Sequence, residues 1–453
     1  MVVSVVDKQY PIDLSSPRVS IKRPEARADQ QGEVRDEERV EQAMRHFAKD
    51  FGYTAALHMD SCIHCGMCAE ACHFYVTTGD SRYTPIWKIE PFKQAYKREA
   101  GPFAFFYRLF GLKPRVTAEQ LRRWQELVYD SCTVCGRCSL ICPMGIDIAA
   151  LVSQARHAMF KAGLVPHELH AVARRAEEEG SPLGATPEVF KERVEWMADE
   201  HEIEIPIDAE KADVLLTMSS IEIMKYPESI AATAKVMEHC GYSYTFSTRG
   251  YEATNFGLLS GNPDWQRDMS MKIINAAIDC GAKHVVLPEC GHAYTALRWM
   301  GANIYGKPLP FKVRHISEFL AEQLREGRLK LQGGVDASAT FHDPCQIVRR
   351  GGAIEDAREV IRALGVELRE MRENRGFNWC CGGGGGVITI HRADDLRYKT
   401  FEIKMRQVEE TDADKLVMAC SNCRQTFDDG QAHFHWDRKA ESLLELVAEN
   451  LAE

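Results

Sequence analysis

The sequence has no stretch approaching the roughly 18 uninterrupted apolar residues that a membrane-spanning helix needs, and its N-terminus lacks the basic-then-apolar pattern of a secretory signal. Positive charge is not in excess either: 56 Lys and Arg stand against 66 Asp and Glu, a formal net charge of −10. That balance argues against a nucleic-acid surface as the main function. No Lys-Ser/Thr pair follows the run Gly382 to Gly386, which argues against a Walker-type phosphate loop there. These absences predict a cytoplasmic protein. Apolar side chains are plentiful, at 45% hydrophobic against 27% charged residues, so the chain can bury a sizeable core. Its 453 residues exceed the reach of one core and predict two or three domains. Cysteine is abundant: sixteen in a large chain without an export signal point to metal binding rather than disulfides.

Eight of these cysteines fall in two tight runs. Cys62, Cys65, Cys68 and Cys72 follow a C-x2-C-x2-C-x3-C spacing, and Cys132, Cys135, Cys138 and Cys142 repeat it with Pro143 directly after. This is the spacing of two-cubane ferredoxins, in which the fourth cysteine of each run reaches the other cluster. Cys62, Cys65, Cys68 and Cys142 are therefore expected to hold one [4Fe–4S] cubane, and Cys132, Cys135, Cys138 and Cys72 the other. Zinc is the competing occupant, but zinc sites seldom use four cysteines in a 2-2-3 run. His73 stands where a proline usually follows the fourth cysteine. About sixty residues separate the runs, which predicts an α-helical two-cluster domain rather than a compact ferredoxin. Within that insertion, residues 93–123 carry eight basic residues against Glu99 and Glu119, together with Phe103, Phe105, Phe106, Tyr107 and Phe110. Two readings apply: a face that docks on an anionic membrane or a membrane-embedded subunit, or a helix whose aromatics are core and whose charges are solvated.

The texture changes along the chain. Residues 1–45 are polar and broken by Pro11, Pro17 and Pro24, which predicts an arm; 46–175 form the two-cluster domain; 176–210, rich in Glu and Lys, read as a helical connector. Beyond 210, short apolar runs such as Val214-Leu215-Leu216, Val285-Val286-Leu287 and Leu416-Val417-Met418 alternate with helical stretches, an α/β pattern. This part also reads as a duplication, 211–335 and 336–453. Lys283 to Ala293 is similar to Lys415 to Cys423, with Cys290 opposite Cys420 and Ala293 opposite Cys423, while Ser219-Ser220 falls where His342-Asp343-Pro344-Cys345 falls later. The expected fold is thus α plus α/β.

The later copy holds five thiols: Cys345, the adjacent Cys380-Cys381, and Cys420-x2-Cys423. The glycines after the pair suggest backbone passing close to a bulky cofactor, where a Cβ would collide. Cys345, Cys380-Cys381-Gly382 and Cys420-x2-Cys423 resemble the CCG motif of heterodisulfide reductase catalytic subunits, and the two upstream runs complete the D-type arrangement of that family. The resemblance spans about residues 55–440. It implies a duplicated CCG-type domain behind the ferredoxin-like one, and a non-cubane [4Fe–4S] centre on Cys345, Cys380, Cys381, Cys420 and Cys423 that acts as the catalytic site of a thiol-disulfide oxidoreductase. Of the five expected thiols the first copy keeps only Cys290, with Tyr251 to Gly257 where the cysteine pair should be. That degeneracy, with the strings Cys72-His73-Phe74-Tyr75 and Glu289 to Tyr294, is similar to the DsrK-type branch of the family. The branch implies a cytoplasmic subunit, attached peripherally to the inner membrane within a DsrMKJOP-type complex of sulfur metabolism. It would exchange electrons between a quinone-linked, DsrM-like membrane subunit and a disulfide or trisulfide of a small DsrC-like sulfur carrier.

Two other readings stay open at this level: a non-catalytic electron-transfer subunit of a flavin dehydrogenase of the glycerol-phosphate or glycolate type, and a scaffold whose CCG cysteines hold zinc. Cys240 and Cys280 read as buried apolar thiols. Cys290 and His292 either line a substrate channel or donate a proton, or are structural remnants of the degenerate copy. His342-Asp343 reads either as a proton source for a released thiolate or as a turn before Pro344. His433 and His435 read as metal ligands or as a solvated face.

Overall fold

A computed structural model describes residues 35–452 apart from 51, 100 and 114. The arm expected over 1–45 therefore lies mostly outside the described residues; its end belongs to the helix Asp36–Asp50. The chain divides into two compact units. The first runs to Leu169 and takes in Gly384–Ile403; the second comprises His170–Gly383 and Lys404–Glu453.

Among its described residues the first unit is helical. Helices Asp36–Asp50, Pro85–Glu99 and Ile148–Lys161 pack together. The last is opened by Asp147, whose carboxylate accepts the Ala150 N–H, and it buries Leu151, Val152, Ala155 and Met159 along one stripe. Arg39 closes its far end by donating to the carbonyls of Ala162 and Gly163 at 3.0 Å each. The cysteine runs lie on loops that lead into the short helices Met67–Glu70 and Arg137–Ile141.

The second unit holds two four-stranded parallel sheets. Strands β1 (Val214–Leu216), β2 (Tyr244–Phe246), β3 (His284–Leu287) and β4 (Lys312–His315) pair in the order β2-β1-β3-β4. Strands β5 (Ser338–His342), β6 (Glu367–Leu368), β7 (Lys415–Met418) and β8 (Ala440–Ser442) pair in the order β6-β5-β7-β8. The two orders are the same. Parallel strands covered on both faces need continuous apolar runs rather than alternation, and Val214-Leu215-Leu216 is buried throughout. One hydrophobic core joins the halves, with Val214, Leu216 and Val286 clustered with Ala339, Phe341 and Val417. Residues 176–210, expected as a connector, contribute to that core: the helix Pro187–His201 places Phe190, Val194 and Met197 in it. Their apolar spacing was masked by the surrounding Glu and Lys, which cover the solvent side.

Candidate metal centres

In the first unit the two cysteine loops share one backbone shape. His64 and Gly66 have φ of 55° and 81°, and Val134 and Gly136 have φ of 55° and 76°. A left-handed conformation is costly for a β-branched valine, so the loop must be held by what it surrounds. The same turn aims amides inward: the His64 N–H donates to Cys62 Sγ at 3.4 Å, and the Val134 N–H donates to the Cys132 thiol. Such inward amide nests suit anionic iron–sulfur groups.

The cysteines line two cavities, and each collects three thiols of one run and the last of the other. Cys62, Cys65, Cys68 and Cys142 surround one with Ile86 and Ile146. Cys132, Cys135, Cys138 and Cys72 surround the second with Phe74 and Val152. Tetrahedral zinc with bonds of about 2.3 Å would bring its sulfurs to about 3.8 Å from one another. Among the described residues, no three of these eight cysteines bring their sulfurs within 4.8 Å of one another. The donors and their wider spacing fit a multinuclear cluster.

Burial pushes the Cys68 thiol up to about 11 and raises Cys132 and Cys138. Thiolates here need positive charge, and two buried cations act on Cys132: Lys88, which lines the second cavity, and Arg156. Lys88, 2% exposed, brings Nζ to 3.8 Å from Cys72 Sγ, donates to the Ser131 carbonyl and lies 5.0 Å over the Phe74 ring. Arg156 donates to the carbonyls of Val128, Cys132 and Gly385 at 2.8, 2.8 and 2.7 Å. Gly385 stands four residues beyond Cys381 in the chain, within the segment assigned to the first unit. Sequence reasoning singled out neither cation, because each lies on a helix outside the cysteine runs and reaches the site only through the fold.

In the second unit the five remaining motif thiols converge from three loops, and all are buried. Cys345 and Cys380 have sulfurs 4.0 Å apart, and Cys381 and Cys423 3.5 Å. Cys420 caps the helix Ser421–Phe434 and, with Cys423, sits at its amide end, where thiolates are favoured. Hydrogen bonds among the thiols distribute protons unevenly: Cys381 and Cys420 are held below the ordinary thiol range and Cys423 is pushed above it. The segment after β3 supplies part of the wall, since the Gly291 N–H donates to Cys420. Cys290, 2% exposed, caps the helix Gly291–Tyr294 as Cys420 caps its own. Burial raises its thiol, with the neighbouring Cys420 adding to the effect.

A buried ion pair fixes the loops. Arg358 donates to both Asp343 oxygens at 2.7 and 2.8 Å, with side-chain exposures of 0% and 1%. Asp343 also accepts the Arg375 N–H at 2.6 Å, and Asn378 donates to the Asp343 carbonyl. These contacts tie the turn before Cys345 to the loop before Cys380. Asp343 is thus a structural anchor of the turn rather than a proton source. Lys404, wholly buried, has its amine pushed down to about 8 by burial, against the pull of Asp343, Cys381 and Cys380.

Several local expectations change. Gly383 is required by protein rather than by a cofactor: a Cβ there would lie 2.0 Å from Thr426 Oγ1. The insertion aromatics are not core, since Phe103, Phe105, Phe106 and Phe110 are between 52% and 65% exposed, with Leu109 and Leu112 beside them. Lys93, by contrast, is buried and leaves the basic face. Cys240 and Cys280 lie in apolar clusters. His433 and His435 are exposed, and among the described residues they form no grouping of three ligands.

Comparison with known proteins accords with this layout. Residues 58–146 match the 4Fe-4S dicluster domain, and residues 339–428 match the cysteine-rich CCG domain. The chain is similar to the D-type subunits of the dihydromethanophenazine:CoB–CoM heterodisulfide reductases. With the one from Methanosarcina mazei it shares 29% identity over 87% of this chain and 94% of that protein; with the one from Methanosarcina barkeri, 27% over the same shares. The chain resembles the heterodisulfide reductase D-like family along most of its length. It is also 26% identical to the Hdr-like menaquinol oxidoreductase iron-sulfur subunit 2 of Archaeoglobus fulgidus, over 78% of this chain and 70% of that protein. The described part of the chain has no helix long and apolar enough to cross a membrane.

Proposed function

We propose that this chain is the iron–sulfur subunit of a membrane-linked redox complex and that its five-cysteine centre makes or cleaves a disulfide. In this reading Cys62, Cys65, Cys68 and Cys142 hold one cubane, Cys132, Cys135, Cys138 and Cys72 the other, and Cys345, Cys380, Cys381, Cys420 and Cys423 a non-cubane [4Fe–4S] centre. The observation that carries the reading is the convergence of five buried thiols from three loops in a chain that also forms two four-cysteine cavities. Electron relay alone does not require the additional thiol beyond four.

Reduction of a disulfide takes two electrons and two protons and yields two thiols, whereas a cluster passes one electron at a time; an iron–sulfur centre held by the five cysteines would supply sulfur-binding and one-electron chemistry there. The chain's own part is definable from its contacts. Amides of Gly291 and Gly382 donate to Cys420 and Cys380, which stabilises thiolate charge where water is excluded. The Arg358–Asp343 pair sets the turn that delivers Cys345. Lys88 and Arg156 place positive charge at the second cubane's cysteines, which favours its reduced, more negative state.

The finer proposal is a DsrK-type subunit on the cytoplasmic side. It would take a disulfide or trisulfide of a DsrC-like carrier and exchange electrons with a DsrM-like, quinone-linked subunit. Its support is the degenerate first half, which keeps Cys290 alone, and the exposed Phe103–Leu112 patch with Arg108 beside it, an apolar and basic face fit for a membrane-embedded partner. A second reading, structural zinc at the five-cysteine site, is favoured by the 3.5 and 4.0 Å sulfur separations, near the about 3.8 Å of thiolates on one ion.

The test is anaerobic metal analysis of the purified chain combined with single-turnover cleavage of a carrier disulfide by the chemically reduced protein. About twelve irons per chain, the number for three four-iron clusters, with stoichiometric thiol release would support the proposal. About eight irons with one zinc would establish the scaffold reading. Twelve irons without thiol release would favour plain electron transfer.

A further inference from the structure

The imidazole of His342 takes no part in the contacts described above. His342 ends β5, two residues before Pro344 and three before Cys345, and ligands of open α/β sheets gather at this carboxyl edge. It is 1% exposed, and neither Nδ1 nor Nε2 has a hydrogen-bond partner. An imidazole buried in that state bears the full desolvation cost of its nitrogens unless something occupies them, and such orphaned groups call for an occupant. The ring is packed at 5.2 Å from the Phe427 ring. One ring nitrogen lies with Cys381 Sγ and Cys423 Sγ so that all three atoms fall within 4.8 Å of one another; no other grouping of three potential ligand atoms occurs among the described residues.

We propose that His342 is a sixth protein ligand of the five-cysteine centre, a nitrogen donor to the iron shared with Cys381 and Cys423. The proposal rests on that centre holding iron, as the proposed function has it. The chemistry of the donor set fits: imidazole and thiolate both bind iron, and histidines in place of cysteines on one iron of a Rieske centre raise its potential. Imidazole adds no negative charge where five thiolates already crowd a buried site. Being neutral, it is also the donor that an incoming substrate sulfur can most readily displace. The nitrogen not bound to metal would remain free for a water or a substrate group.

The full chain is loaded with 57Fe after growth on [15N]histidine or unlabelled histidine and oxidised anaerobically, so that the cubanes are diamagnetic. Electron–nuclear double resonance on the five-cysteine centre, poised in a paramagnetic state, is expected to show one strongly coupled histidine nitrogen that changes with the isotope. The wild-type protein suffices for this, so folding of a variant is not at issue. The coupling is expected to vanish in His342→Gln, and Mössbauer spectra, which read the centre even when it is diamagnetic, are expected to show one changed iron site. Unchanged Mössbauer spectra, or histidine coupling that persists in His342→Gln, would overturn the proposal. A merely weak coupling would also overturn it, and would make His342 a hydrogen-bond donor to a cluster sulfur. These results leave the disulfide reading intact, whereas iron content of about eight per chain would remove both.

Discussion

Replacing Arg358 with methionine tests how the five-cysteine site is held. The guanidinium is fully buried and satisfies both Asp343 oxygens at 2.7 and 2.8 Å and both Glu370 oxygens at 2.7 and 2.9 Å. Asp343 is 1% exposed and has nowhere to find water. Removing one member of a buried pair typically costs about 3–5 kcal/mol, because a charge is left uncompensated. Glu370, 27% exposed, can turn to solvent and adds little. At roughly 2–4 °C per kcal/mol for a unit of this size, the thermal midpoint of the second unit should fall by about 10 °C. Asp343→Asn keeps the shape but sets an NH2 against a guanidinium or backbone N–H that the carboxylate accepts, so it should cost about as much. Because Asp343 and Asn378 join the loops of Cys345 and Cys380, Arg358→Met should also lose about four irons per chain while the two cubanes stay. Differential scanning calorimetry and iron analysis of both variants provide the check. An unchanged midpoint, or iron lost equally from all centres, would refute the reasoning.

Lys88→Met removes the ammonium beside Cys72 and should lower the midpoint potential of the cluster proposed for the second cavity by roughly 60 mV, a tenfold change for a one-electron couple. Spectroscopic redox titration should show this with the first cubane unmoved, and Lys88→Arg should restore most of it. Glu222 is buried, and its carboxyl is pushed from 4.5 up to about 7 by burial. A folded value above the unfolded one contributes stability that is complete below about pH 4.5 and is lost as pH rises through about 7. Between pH 6 and 8 this one group should therefore cost the wild type about 1.3 kcal/mol. In Glu222→Gln the fall in thermal midpoint over that range should be shallower by roughly 3 °C, whatever the offset from disturbed hydrogen bonds to Ser219 and the Glu289 N–H. Parallel pH profiles would contradict it. Glu252 and Glu289 face the same interior and are raised too, so part of the slope survives in the variant.

Much of the metal-binding layout was legible because it is local. Cys62 to Cys72 and Cys132 to Cys142 carry their loop geometry in their spacing, and the left-handed turns at His64 and Val134 repeat it in three dimensions. The α/β texture was legible in runs such as Val214-Leu215-Leu216, which only a sheet covered on both faces explains. Interactions between distant segments were not legible. Nothing near Lys88 in sequence marks it as a cation of the second cavity, and nothing near Arg358 marks it as the partner of Asp343. The connector's charges concealed Phe190, Val194 and Met197, and the insertion's aromatics gave no sign in sequence of facing outward, since core and docking faces share one composition. Gly383, within the run that suggests room for a cofactor, makes room for Thr426 instead.

The central claim is that the five thiols form a site for sulfur chemistry rather than a structural knot. The most direct measurement is electron paramagnetic resonance of the oxidised, fully iron-loaded chain, titrated anaerobically with the reduced carrier protein or its cysteine peptide. The predicted result is a new signal that requires the carrier's cysteines and disappears in Cys380→Ser, while both cubanes remain reducible. No carrier-dependent signal, or the same signal in Cys380→Ser, would contradict it.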